Sequence, residues 1–346
     1  MNIINFISGN DLGGPKQSFL LYSRLLIELG YNTVSVVRAN AKLVQLLQEN
    51  NLPLKELTYF RTLISPIKHY SVMKIRSLFK PLDPDVIFVH KQIDIELVRQ
   101  AMGDNVKIVG VVHGFNAKYI QNSDCILSVS EKVKAFIHKE GYTKRVYTIP
   151  NMINNYTDPK FKKIPKQPLI GAMGIFRRKK GFDTLIEALY ILKKRGISFK
   201  SIIAGEGIRR PILILLRKKL RLQNDLEIRG WVSNSEREKF IDSIDIFVLP
   251  SRSESFGMVV AEAMARKKIV VATKCGGPEE ILDHEINGYL VNRDDPKALA
   301  DMLGTIITKQ NNSKEIQEAA FDKSTKKYAM RSIQNKIKII LDDLSS

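Results

Sequence analysis

The chain has 346 residues, 44% of them apolar and 26% charged, which is enough for two domains and a large core. Its formal charge of +19 implies an anionic partner: nucleic acid, acidic lipid or a phosphorylated substrate. Cys125 and Cys275 lie far apart with no C-x-x-C, which excludes a disulfide framework or thiolate metal site and suits a reducing compartment.

No apolar run approaches the ~18 residues of a transmembrane helix. The opening M-N-I-I-N-F-I-S-G-N lacks the basic start and long apolar core of a signal peptide, so a cytoplasmic location is expected. Ile3 to Ser8 reads as a buried strand, Asp11 to Pro15 as a tight loop, and Gln17 to Leu29 as an amphipathic helix closed by Gly30. Thr33 to Val37 is the next strand. This opening resembles a dinucleotide fold without the full G-x-G-x-x-G. Gly13 and Gly14 can bring backbone N–H groups to a phosphate; a plain tight turn is the alternative.

Arg61 to Lys80 carries five Lys/Arg, one His and no acid, interleaved with Ile67, Tyr70, Val72, Met73, Ile75, Leu78 and Phe79. Such a basic amphipathic stretch reads as a membrane-surface element, or else as a core-packed helix with a solvated basic side. Asp85 to His90 and Lys107 to His113 are strands that each end in histidine; His90 reads as structural. Cys125 to Ser130 is a strand, Glu131 to Lys139 a helix, and Asn154 to Pro168, rich in Lys and Pro, an interdomain linker.

The alternation then restarts. Leu169 to Ile175 is a strand, and Phe182 to Arg195 a helix preceded by Arg177-Arg178-Lys179-Lys180-Gly181. Four cations at a helix entrance oppose the helix dipole, and that misfit points to an anion site. Ser201 to Ala204 and Leu226 to Trp231 are strands. Arg209 to Arg221 is a helix with six Lys/Arg and no acid. Trp231, the single tryptophan, is expected in the core. Helices from Pro296 to Ile307 and from Lys327 to Leu344 follow.

The most informative stretch runs from Ile244 to Lys274. A buried strand to Leu249 leads through Ser251–Ser255 into a helical pattern from Phe256 to Ala265 and a second strand, Ile269 to Thr273. Function in parallel sheets sits at the carboxyl ends of strands, which is where Glu254 and Glu262 lie. If the segment were fully helical, eight residues would separate these carboxylates by about 12 Å, beyond the roughly 5–9.5 Å of a glycosidase pair. A binding role fits better. Backbone N–H groups of Ser255, Phe256, Gly257 and Met258 at a helix N-terminus favour a phosphate, and ionised Glu254 and Glu262 accept from sugar hydroxyls.

The run P-S-R-S-E-S-F-G-M-V-V-A-E-A-M-A resembles the E-x7-E signature of the retaining glycosyltransferases of family 4. The likeness continues through Val270–Thr273, Gly276-Gly277, Glu280 and Asn287-Gly288-Tyr289-Leu290-Val291, in the family's order and spacing. The resemblance implies an α/β chain of GT-B architecture, two Rossmann-like domains with parallel sheets facing across a cleft. An acceptor domain would span 1–155, a nucleotide-sugar domain 156–326, and a closing helix in 327–346 would return to the first. It implies retaining, metal-independent transfer of a hexose-type sugar from a UDP- or GDP-sugar substrate, with no cofactor.

By the same resemblance His113 and Glu254 act on the transferred sugar, Glu262 binds the ribose, and Val232 lies where the base is met. Gly13, Gly14 and Lys180 belong to the diphosphate site. Ile175 stands where the family has an arginine, so Arg177 or Arg178 is expected to supply that charge. With the basic stretches, the expected acceptor is a lipid-linked or lipopolysaccharide-type glycan at the inner face of an anionic membrane. The other readings are a phosphorylase or epimerase on the same fold, and a nucleic-acid-binding protein, for which no recognised motif is present.

Overall fold

The computed structural model describes residues 1–9, 13–309 and 312–345. Of the expected loop from Asp11 to Pro15, Asp11 and Leu12 lie outside the described residues. The chain divides into two units, Met1–Met152 with Met330–Ser346, and Ile153–Ala329.

The first unit alternates strand and helix: β1 (Asn2–Ile7), α1 (Gly14–Glu28), β2 (Asn32–Arg38), α2 (Lys42–Glu49), β3 (Leu54–Leu57), α3 (Ile67–Phe79), β4 (Val86–Val89), α4 (Gln92–Met102), β5 (Lys107–Val112), β6 (Cys125–Ser128), α5 (Glu131–Lys139) and β7 (Val146–Thr148). Its sheet has the order β3-β2-β1-β4-β5-β6-β7, with every pairing parallel. Strands buried on both faces must be apolar throughout; Val86-Ile87-Phe88-Val89 and the four residues of β6 are wholly buried.

The second unit repeats the plan: β8 (Leu169–Met173), α6 (Phe182–Lys194), β9 (Lys200–Ala204), α7 (Arg210–Lys219), β10 (Leu226–Arg229), α8 (Asn234–Ser243), β11 (Ile246–Leu249), α9 (Met258–Met264), β12 (Ile269–Thr273), α10 (Pro278–Ile281), β13 (Tyr289–Val291), α11 (Pro296–Lys309) and α12 (Ser313–Lys327). Its parallel sheet runs β10-β9-β8-β11-β12-β13. The last helix, α13 (Met330–Ser345), belongs to the first unit, where Gln334 reaches Glu28 and the Asp343 carboxylate accepts from Tyr147 and Arg145.

In each sheet the order reverses beside the first strand, at β1/β4 and β8/β11. Ligands of open parallel sheets bind outside the strand ends at such switch points. The segments that follow β1 and β8 carry Gly13-Gly14 and the basic loop from Arg177 to Gly181 respectively.

The stretch from Arg61 to Lys80 contains α3, which packs one face into the fold. Ser71, Ile75 and Phe79 are buried at helical spacing, and Phe79 meets Phe6 edge to face at 5.3 Å. Ile67, Tyr70 and Met73 point outward and are exposed, as are Phe60 and Ile64. Arg76 is committed to the fold, donating to the Ala101 and Gln100 carbonyls at 2.8 and 3.0 Å.

Candidate functional site

In the second unit, the basic loop and the loop after β11 are built against each other. Gly181 has φ +63, and a Cβ there would stand 1.9 Å from the Pro250 carbonyl oxygen, so only glycine lets the two backbones approach. Arg252 closes the junction. Its backbone N–H donates to the Lys179 carbonyl at 2.7 Å, and its guanidinium to the Arg178 carbonyl at 2.7 Å and Asp183 at 2.9 Å. The bidentate partner Arg252 holds the Asp183 carboxyl below its usual range against the opposing effect of burial.

That junction brings Lys180 onto Glu254, ammonium directly on carboxylate, with both side chains about four-fifths buried. Glu254 itself is fixed by a short parallel bridge to Gly276: its N–H donates to the Cys275 carbonyl at 3.0 Å and its carbonyl accepts from Gly277 at 2.8 Å. A Cβ on Gly277 would fall 2.2 Å from the Phe256 Cα, which explains the paired glycines. Arg177 and Arg178 are exposed, and neither guanidinium forms an ion pair among the described residues.

The helix after Glu254 starts later than its pattern predicts, at Met258, with Gly257 (φ +100) as its cap. Ser255 is half-buried. The Phe256 ring is buried against Tyr328 at 5.5 Å, and Met258 is buried too. A helix terminus carries about half a charge, while the Lys180 ammonium is already paired with the Glu254 carboxylate.

Glu262 lies inside α9, 4% exposed. Its Oε1 accepts from Arg237 of α8 at 3.0 Å, whereas its Oε2 is buried and has no hydrogen-bond partner among the described residues. A buried carboxylate oxygen without a donor is costly, and the Arg237 that pairs with its neighbour Oε1 lines a pocket with Val259, Met173, Gly174, Gly205, Trp231 and Val232. Trp231 departs from its expected core position. It is 42% exposed on the pocket wall, because β10 ends at Arg229 and leaves the indole beyond the sheet.

In the first unit, Gly13 caps α1 with extended backbone and Gly14 opens the helix, followed by Pro15. Lys16 is buried beside them, its Nζ donating to the Ser8 and Gly9 carbonyls at 2.9 and 2.8 Å at the end of β1. Next to β1 runs a polar chain. Asn5 Nδ2 donates to the Phe19 carbonyl at 3.1 Å, which turns its Oδ1 toward His90 Nε2 at 2.8 Å. That nitrogen must then carry the proton, so neutral His90 accepts at Nδ1 from His113 Nε2–H at 2.9 Å.

His113 is left with an unprotonated Nδ1, screened from water, beside the Asn151 amide. Burial, then the Lys91 charge, pushes the His113 imidazole down to about 3, and burial above all holds His90 well below its ordinary value. His113 is a neutral group at physiological pH, suited to hydrogen bonding and orientation rather than to proton transfer.

Sequence reasoning had singled out neither Arg237, Arg252 nor Lys16. Arg237 and Arg252 work through partners far along the chain, and Lys16 carries only the local signal of following Gly-Gly-Pro. Among the described residues no group of three His, Cys, Asp or Glu is placed to hold a metal ion.

The model of the glycosyl transferases group 1 matches residues 155–323, and that of glycosyltransferase family 4 residues 12–155. The lipopolysaccharide core biosynthesis glycosyltransferase LpsE of Rhizobium meliloti is 24% identical over 313 residues, 89% of each chain. Among solved structures, Anabaena HepE in complex with UDP-glucose superposes with a TM-score of 0.84 at 18% identity, covering 99% of both chains. The lipopolysaccharide outer core galactosyltransferase WaaB does so with 0.78 at 17% identity, again over 99% of both. Two Rossmann-like parallel sheets are the folds of the GT-B class, and with the two family models spanning residues 12–323 the chain belongs to the group 1, family 4 glycosyltransferases.

Proposed function

We propose that this glycosyltransferase moves a hexose-type sugar, with retention at the anomeric carbon, from a nucleoside-diphosphate sugar to a lipid-linked or lipopolysaccharide-type glycan. The observation that carries the donor assignment is the unpartnered Glu262 Oε2, on a carboxylate held by the Arg237 that lines the pocket of Trp231 and Val232. A ribose hydroxyl would donate to it, with the base against Val232. The relatives named for lipopolysaccharide synthesis support the acceptor class.

Negative charge grows on the diphosphate as the glycosidic bond breaks. Lys180, with Arg177 or Arg178, stabilises it, and the backbone N–H groups of Gly257 and Met258 add to this. Within the first unit, Gly13 and Gly14 offer backbone N–H groups to a phosphate. Glu254, held by Lys180, accepts from the sugar hydroxyls; within the first unit, His113 offers a neutral imidazole to a sugar. Fixed cations replace a metal in this reading. The outward apolar residues of α3, with Arg61, Lys68, Lys74 and Lys80, hold the enzyme on the inner face of an anionic membrane. No helix among the described residues is long and apolar enough to cross one.

The test is a transfer assay over a panel of sugar nucleotides. Nucleoside diphosphate should appear only when acceptor is present, the product should keep the donor's anomeric configuration by NMR, and chelator should leave the rate unchanged. Release without acceptor would favour the phosphorylase or epimerase reading; inversion, or loss of rate restored by magnesium or manganese, would contradict the mechanism.

A further inference from the structure

Helix α7 is apolar on the side it turns to water. Its inward face buries Leu213, with Leu216 and Leu220 packed behind it. On the opposite face Ile208, just ahead of the helix, is 87% exposed, Leu215 67% and Ile212 48%. Spacings of four and three place these residues on one stripe. Exposed Ile214 flanks it, and Lys218, Lys219 and Arg221 close its carboxyl end, all three exposed and none in an ion pair among the described residues. The other cations of this segment are spent on the fold. Arg209 lies 3.6 Å from Asp183, Arg210 2.9 Å from Glu206, and Arg217 donates to the Leu226 carbonyl at 3.2 Å.

We infer that the outward face of α7 docks on an anionic lipid bilayer. Ile208, Ile212 and Leu215 enter the boundary between headgroups and acyl chains, while Lys218, Lys219 and Arg221 bind the lipid anions. Charge selects the occupant. No acidic residue occurs from Gly207 to Asn224. A second copy seated symmetrically on this face would oppose like cations on chains of formal charge +19. An anionic bilayer supplies both an apolar boundary and a negative surface. The inference rests on the reading that the enzyme works at a membrane, but α7 belongs to a different unit from α3.

The experiment sediments the full chain with phosphatidylglycerol–phosphatidylcholine vesicles at several salt concentrations. It compares the wild type with Ile212→Ser/Leu215→Ser, with Lys218→Glu/Lys219→Glu, and with Lys68→Glu/Lys74→Glu on α3. Each α7 variant should bind at least about tenfold more weakly, with nucleoside diphosphate affinity unchanged. Equal binding by the α7 variants, with the α3 variant weakened, would overturn the α7 assignment and leave the membrane reading standing. No binding by the wild type would overturn both. A response to the charge variant alone would mean a diffuse field rather than insertion, which also overturns it. A change in oligomeric mass by light scattering with vesicle binding intact would assign the face to a protein contact instead.

Discussion

The two units share a fold and place polar residues at equivalent switch points, yet their electrostatics are opposite. In the second unit the residues are charged: Lys180 on Glu254, Arg177 and Arg178 in solvent, Glu262 with one oxygen unanswered. In the first unit the chain from buried Asn5 and His90 to half-buried His113 is neutral and fixed in its proton order by the Phe19 carbonyl. In the proposed reaction the charged site would meet an anion whose charge grows, and the neutral one would hold a shape. Two sheets of one plan thus differ in the charge of a few side chains at their strand ends.

Removing the strongest charge should separate the two sites most. Lys180→Ala is expected to lower turnover about 10²–10³-fold, by analogy with losing one transition-state donor, with a smaller effect on donor affinity. Wild-type turnover at saturating donor would contradict this. Next in size, Glu262→Ala should weaken nucleoside diphosphate binding by about 1.5–3 kcal/mol, the value of a charge-assisted hydrogen bond; calorimetric titration checks it, and unchanged affinity would remove the ribose assignment.

The neutral site responds to pH. Burial lowers the folded-state value of His113 to about 3, so the unfolded chain binds the extra proton first. This contribution to stability is complete above the ordinary histidine value and declines as pH falls from there toward about 3. At pH 5 His113 alone should have lost about 2 kcal/mol, and His90 adds in the same direction. Denaturant unfolding of the first unit at pH 7.5 and pH 5 measures the loss, which His113→Phe should reduce. The smallest effect separates the two exposed arginines: Arg177→Ala and Arg178→Ala should differ in donor KM, the larger change marking the one that supplies the charge absent at Ile175. If both equal the wild type, neither does.

The fold was legible where burial dictates composition. The stretch from Ile269 to Thr273 reads as a strand because both sheet faces are covered, and it is one. Helix α12 had no such signature: S-K-E-I-Q-E-A-A-F-D-K-S-T-K-K is polar on most sides, and it is recognised only by what packs on it, Ile316 and Ala320 among the buried residues. The site was legible as segments, not as contacts. The anomaly of four cations before α6 marks the basic loop, but that Lys180 meets Glu254 is decided by Gly181 lying on Pro250, which no local pattern encodes. Likewise His90 reads as an ordinary strand-end histidine until its bonds to Asn5 and His113 are seen.

The donor assignment to the second unit meets its most direct test at Trp231, the single tryptophan of the chain, half-exposed beside Val232. Titrating UDP and GDP while following tryptophan emission should give a saturable change with one of them, and Glu262→Ala should shift the curve to at least about tenfold higher concentration. A flat response to both nucleotides, or a curve that Glu262→Ala leaves in place, would contradict the account.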